Sequence, residues 1–216
     1  MIDEEIRLLE REVASGDKAK AFDLARLRGR VGLGPAVSQI DFTRKTLVDH
    51  ELFDTEIAMP PREVLFFARN WTFDNGDRKN MGGHTNHLGA SNSLPAGFAM
   101  AATGLRLMIL RPVSENISIR MSLADAAPGA ELSDLIRVLE GRIRFAVGVH
   151  DEGREWPARD AANGIKLDGP LVLEELVLFE ASWSPSDNDP FLADPRRSHR
   201  THVRLILSGV LAKPPG

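Results

Sequence analysis

From about residue 36 onward, the chain consists of short runs in which apolar and polar residues alternate, separated by dipeptides that favour turns. In one run Ile117, Ile119 and Met121 alternate with polar residues, and in another Ile143 and Phe145 do the same. Successive side chains of a β-strand point to opposite faces, so a period of two predicts strands with one buried face. The predicted strands are Phe42–Val48, Leu52–Met59, Glu63–Arg69, Gly97–Leu110, Asn116–Leu123, Arg142–Val149, Leu171–Trp183 and Thr201–Ala212.

Turn-forming segments such as Asn75-Gly76 and Asn163-Gly164 lie between these runs. One helix is predicted among the strands, over about Glu131–Leu139, where the apolar residues share one helical face. Strands and helices do not alternate, which disfavours a doubly wound nucleotide-binding fold. The pattern predicts a mainly β chain: an antiparallel β-sandwich of the single jelly-roll type, with about eight strands and one short inserted helix.

The first thirty residues have a helical pattern instead. Ile2, Ile6, Leu9 and Val13 recur at steps of three and four, and a second helix is predicted from Lys18 to about Arg30. We therefore expect two units, a helical N-terminal arm over residues 1–34 and a jelly-roll domain over residues 35–216. The sequence leaves two positions open for this arm: packed as a hairpin on its own domain, or docked on a neighbouring subunit.

The composition removes several classes of chemistry. The absence of cysteine excludes disulfides, thiol nucleophiles and zinc–thiolate sites, and the absence of tyrosine excludes a catalytic phenol. A net charge of −4 provides no global attraction to nucleic acid. No apolar run approaches the ~20 residues that span a bilayer, and the acidic start of the chain lacks the basic region of a secretory signal. These features predict a cytoplasmic product.

Four histidines are candidate metal ligands: His84, His87, His199 and His202. Jelly-roll oxygenases of the cupin type place an HxH pair on one strand, so that both rings point into the barrel. Both pairs here have HxxH spacing, which on a strand sends the two rings to opposite faces. The sequence therefore predicts no metal site, no cofactor and no catalytic residues, and a cupin-like metal-dependent enzyme is kept as an alternative.

Four arginines cluster before and within the last predicted strand: Arg196, Arg197, Arg200 and Arg204. Only Phe191 lies near them in the sequence for base stacking, and the chain is acidic overall. We expect a solvated edge or a salt-bridged contact between subunits at this point, and no specific nucleic-acid site. The three tryptophans are far apart in the sequence and are expected to anchor the core or an interface.

The central part of the chain contains several short motifs in a defined order. Leu52-Phe53-Asp54-Thr55 and Glu63–Ala68 are followed by Lys79-Asn80, Thr85-Asn86 and the segment Asn92–Met100, which contains Leu-Pro-Ala-Gly. This order resembles jelly-roll major capsid proteins of tailless icosahedral bacteriophages, in which a "TN…LPAG" turn leads into a long strand. The likeness covers roughly residues 40–214, and the Ala-rich segment Phe98–Ala102 departs from the bulkier alternation expected there.

The resemblance implies a structural virion protein, a capsid subunit that self-assembles into an icosahedral shell in the host cytoplasm and resides in the virion. Its partners would be copies of itself and other capsid proteins, and many such phages enclose an internal lipid membrane. No enzymatic activity is expected. A β-sandwich spike or accessory protein that binds glycans is kept as a further alternative.

Overall fold

The structure is a computed structural model that describes residues 2–30, 45–58, 63–68, 72–73, 78–87, 89, 92–114, 117–124, 126–148, 153–186 and 201–215. The helices within these ranges are α1 (Ile2–Ala14), α2 (Lys18–Arg30), α3 (Ala130–Glu140) and α4 (Ala158–Asn163). The strands are β1 (Thr46–Ala58), β2 (Val64–Phe66), β3 (Ala99–Ser114), β4 (Ile117–Arg120), β5 (Arg142–Val147), β6 (Arg154–Pro157), β7 (Ile165–Leu173), β8 (Phe179–Ser184) and β9 (Thr201–Lys213).

These strands form two antiparallel sheets. The first has the order β1-β9-β3-β4, with β7 also paired to β3, and the second has the order β2-β8-β5-β6. β4 is a short hairpin extension at the end of β3. The remaining eight strands have the orders β1-β9-β3-β7 and β2-β8-β5-β6, which is the topology of a jelly roll. The predicted mainly β, antiparallel sandwich is confirmed.

The alternating pattern determines which side chains fill the space between the sheets. Val203, Leu205 and Leu207 of β9 and Ile143 and Phe145 of β5 are fully buried in one apolar core. Ile206 breaks the alternation in β9 and is nevertheless buried. It lies on the opposite face of this central strand, where its cross-strand neighbours are Phe53 and Arg106.

The two N-terminal helices have the predicted extents, and they form a hairpin on the outer face of the first sheet. Ala21, Phe22 and Ala25 of α2 pack against a flat patch of the sheet that includes Ala99 and Ala101. The small side chains explain why the Ala-rich segment departs from bulkier alternation: larger residues there would hold the helix away from the sheet. The hairpin is thus packed on its own sandwich, the first of the two positions considered above.

Several predicted strand boundaries were wrong. The separate strands predicted at Phe42–Val48 and Leu52–Met59 are one strand within the described range, because the polar residues between them lie on an edge strand and are solvated. The strand predicted at Leu171–Trp183 is two strands, β7 and β8, joined by a short loop. β7 begins earlier than predicted and contains Gly169-Pro170, because an edge strand tolerates the missing N–H of proline. β6 and α4 were not predicted.

Candidate functional site

A cluster of buried charges lies at the edge of the first sheet. Asp54 and Glu56 are two residues apart on β1, so both side chains point to the inner face. The ammonium of Lys79 lies between them: its Nζ is 3.0 and 2.9 Å from the two Asp54 carboxylate oxygens and donates a further hydrogen bond to Glu56 Oε1. The side chains of Asp54 and Lys79 are 0% exposed and that of Glu56 is 2% exposed.

Lys79 reaches this position because residues 78–87, which we call the edge segment, run along the free edge of β1. The backbone N–H of Asn86 donates to the Phe53 carbonyl at 3.1 Å, and its side-chain oxygen accepts from the Phe53 N–H at 2.7 Å. Thr85 forms an isolated bridge with Asp54. The edge segment thus covers part of an edge strand whose backbone would otherwise be open to pairing.

A strained residue directly after β2 supports the cluster. Phe67 has a φ of 62°, which is rare for a bulky side chain, and it is fully buried. Its backbone N–H donates to Asp54 Oδ2 at 2.7 Å. The left-handed backbone therefore coincides with a buried polar contact, as is common at sites where local structure is over-determined.

Two carboxylates and one ammonium meet here in a site without water access, where charged groups are costly to bury. Burial raises the pKa of the Asp54 carboxyl above its ordinary value, and the nearby Lys79 ammonium opposes this rise without cancelling it. Burial therefore favours the protonated form of Asp54, which lies in contact with the Lys79 side chain.

The histidines separate into two environments. His84 lies against Phe73 and His202, with ring centroids 5.1 and 6.0 Å away, whereas His87 packs in the core against Phe67 and Phe179. The two rings of the His84–His87 pair thus lie in different surroundings, and both residues belong to the edge segment instead of a strand. His199 lies outside the described residues. Among the residues that the structure describes, no three His, Asp or Glu side chains are grouped so that they could hold a metal ion.

His84 is tied to the backbone of the edge segment. Its Nδ1 accepts a hydrogen bond from the Asn80 N–H at 3.1 Å, which requires the unprotonated nitrogen. Burial lowers the pKa of the His84 imidazole, and the cations Arg204 and Lys79 lower it further. His84 is therefore a neutral structural histidine at neutral pH.

Arg204 also holds the edge segment in place. Its guanidinium donates to Thr55 Oγ1 at 2.9 Å and to the Gly83 carbonyl, and it lies 4.6 Å from the centre of the Phe53 ring. It is thus engaged within the chain. Arg196, Arg197 and Arg200 lie outside the described residues, so the expected solvated edge or subunit contact stays a prediction. Of the tryptophans, Trp183 is a core anchor whose Nε1 donates to the Val138 carbonyl at 3.0 Å.

The loop between β7 and β8 exposes two leucines. Leu176 is 71% exposed and Leu178 is 51% exposed, and Leu176 has a left-handed φ of 60°. Its N–H donates to the Leu94 carbonyl at 3.1 Å. A leucine in this conformation that buries little surface contributes little to folding, so its place in the loop calls for another explanation.

Two clefts lie outside the sandwich, beneath α1. One has a volume of about 440 Å³ and the other about 760 Å³, and both are lined by Val13, Thr103 and Ser208. Glycine and short polar side chains form much of their floor, where β3 has a bulge between Ala102 and Gly104. The clefts mark the border between the hairpin and the sheet, away from the buried charges.

Sequence reasoning missed the charged cluster. The available signal was the pair Asp54 and Glu56 in phase with the apolar residues Leu52 and Ala58 on β1, which puts two carboxylates on a core face. No local pattern indicated Lys79 as their partner, because it is 25 residues from Asp54 in the chain.

Compared with protein-family models, with curated proteins and with solved structures, the chain gives no match. Among the described helices, none has both the length and the apolar character needed to cross a bilayer.

Proposed function

We propose that this chain is a structural subunit of a virus particle, a jelly-roll capsid protein that assembles with copies of itself into a closed shell. The observation that carries the proposal is the packing of large apolar side chains between the two sheets. Between the sheets, Trp183, Phe145, Phe179, Phe66 and Met100 are all less than 2% exposed. A shell subunit needs such a rigid body, whereas a ligand-binding jelly roll needs an open cavity lined by converging polar groups.

The segments that resemble capsid proteins have structural tasks in this chain. Lys79 and Thr85-Asn86 fix the edge segment to β1. Pro95 and Gly97 form the turn before β3, with the Phe98 N–H donating to the Pro95 carbonyl at 3.1 Å and Gly97 at a φ of 85°. These residues maintain the shape of the subunit, which fits a protein whose function is to pack.

The outer surface carries apolar side chains that are available for subunit contacts. The leucines of the β7–β8 loop are among the exposed large apolar side chains of the described residues, and burial of such residues is the usual driving force of association. Under this proposal the protein resides in the virion after assembly in the host cytoplasm. Its partners are other copies, other capsid proteins and, in a membrane-containing particle, the enclosed lipid.

Sedimentation velocity of the purified full-length protein over a wide range of concentrations tests the proposal. We expect discrete oligomers or particles that increase with concentration. The same preparation, purified without chelators, is analysed for bound iron, manganese and zinc, and is applied to a glycan array. A monomer at every concentration contradicts the proposal, and a stoichiometric metal or a specific glycan then favours the enzyme or the spike protein instead.

A further inference from the structure

The buried cluster brings together the three groups that an amide-forming reaction needs: an amine, a carboxyl group and a second carboxyl group that can carry a proton. Lys79 Nζ is within 3.0 Å of both Asp54 carboxylate oxygens, and Glu56 Oε1 accepts a hydrogen bond from the same nitrogen. Reactants held in contact in this way react with the advantage of an intramolecular process. All three side chains are excluded from solvent.

We propose that Lys79 and Asp54 condense in the folded chain to form an intramolecular isopeptide bond, with Glu56 as the proton carrier. The inference concerns the covalent structure of the subunit and does not depend on the proposed function. The bond would join β1 to the edge segment, and it would close a loop through the residues between Asp54 and Lys79.

The reaction balances without an oxidant, a reductant or a co-reactant. A proton first passes from the Lys79 ammonium to the Asp54 carboxylate, which gives a neutral amine and a carboxylic acid. The Nζ lone pair then attacks Asp54 Cγ to form the C–N bond, and Glu56 accepts a proton from the nitrogen. Glu56 returns this proton to the Asp54 hydroxyl, the C–O bond breaks, and one water molecule leaves. Glu56 ends as it began, as a carboxylate.

The surroundings favour each step. Ionised amine and acid do not react, but burial disfavours a separated ion pair, and the raised pKa of Asp54 favours the protonated acid. The Phe67 N–H, aimed at Asp54 Oδ2 by its left-handed backbone, stabilises the negative charge that develops on that oxygen during attack. Condensation then removes two opposite charges from an apolar region, which lowers the electrostatic cost of burying the cluster.

The test is mass spectrometry of the purified full-length protein. We expect the intact mass to be lower than the sequence mass by one water molecule. Trypsin does not cleave after an acylated lysine, so digestion should release residues 46–62 linked to residues 79–106. The linked peptide is decisive, since a succinimide at Asp168-Gly169 would lose the same mass without linking two peptides.

Two variants with matched controls assign the roles. Lys79→Arg keeps the positive charge and should lose both the mass difference and the linked peptide, whereas Lys45→Arg should keep both. Glu56→Gln should fold, as judged by circular dichroism, but stay unlinked, whereas the exposed Glu51→Gln should link as the wild type does. An unlinked wild-type protein would overturn the inference, and a Glu56→Gln protein that links fully would overturn the role of Glu56.

Discussion

The backbone N–H of Phe67, a fully buried residue with a φ of 62°, donates a 2.7 Å hydrogen bond to the carboxylate of Asp54, which also contacts Lys79. The Asp54 carboxylate thus contacts both a strained backbone and the ammonium group of the edge segment. These contacts join β1, the residue that follows β2 and residues 78–87 in a single polar unit at the edge of the first sheet. Polar units of this kind make large contributions when intact and are costly when one member is removed.

Asp54→Ala should therefore lower the free energy of unfolding by about 3–5 kcal/mol, because it breaks the buried ion pair with Lys79 and removes the acceptor of the Phe67 N–H. Urea unfolding followed by tryptophan fluorescence measures the change. Glu51→Ala, on the same strand but solvated, should cost less than about 1 kcal/mol. An Asp54→Ala protein as stable as the Glu51→Ala protein would show that the cluster contributes little.

Acidification should weaken the edge segment through His84. Because burial lowers its pKa in the folded chain, the unfolded chain binds more protons in the interval between that pKa and the unfolded value of about 6.5. Stability then falls as the pH decreases through this interval. Arg204, Lys79, Asp54 and His202 face the imidazole, and the Arg204 cation reinforces this direction whether or not Lys79 and Asp54 are linked.

The measurement is the urea midpoint of wild-type and His84→Asn proteins between about pH 7.5 and about pH 5.5. Asparagine can still accept the Asn80 N–H but does not titrate, so the variant should lose less stability on acidification. His50, whose pKa is also lowered by burial, contributes a slope of the same sign to both proteins. Equal pH dependence in the two proteins would contradict the assignment to His84.

Leu176 should show opposite effects on folding and on self-association. Leu176→Gly removes a side chain from a left-handed conformation and should raise the free energy of unfolding by about 1 kcal/mol. The same change removes an exposed apolar contact and should raise the concentration needed for assembly by about tenfold. Leu176→Ala should weaken assembly without the gain in stability, and Leu123→Ala, also exposed, is the control for a leucine elsewhere. Normal assembly by Leu176→Gly would exclude this loop from the subunit contacts.

The contact between α2 and the sheet should be intolerant of larger side chains. Ala101→Leu inserts bulk between β3 and α2, where Phe22 and Ala25 pack, and should cost about 1–3 kcal/mol. Limited proteolysis should then cleave within residues 2–30 sooner than in the wild type. Ala14→Leu, an exposed position at the end of α1, is the matched control and should change neither property. Unchanged proteolysis of Ala101→Leu would mean that α2 is not held by this patch.

The features that the sequence predicts well are those encoded locally. In β5, β9 and α1, the spacing of the apolar residues along the chain is enough to identify the element and its buried face. The features it misses depend on distant partners. Edge strands such as β1 and β7 keep polar residues and a proline that resemble breaks, and Lys79 acquires its role only when the chain brings it beside Asp54. The presence of small residues in β3 is explained only by the packing of α2 against them.

Electron microscopy of the purified full-length protein at high concentration, with Leu176→Gly beside it, addresses the proposed function most directly. We expect closed particles or uniform ring-shaped capsomers for the wild type, and fewer of them for the variant at the same concentration. Dispersed single subunits for both proteins, in a preparation whose fold is intact, would contradict the assignment of this chain as a shell-forming protein.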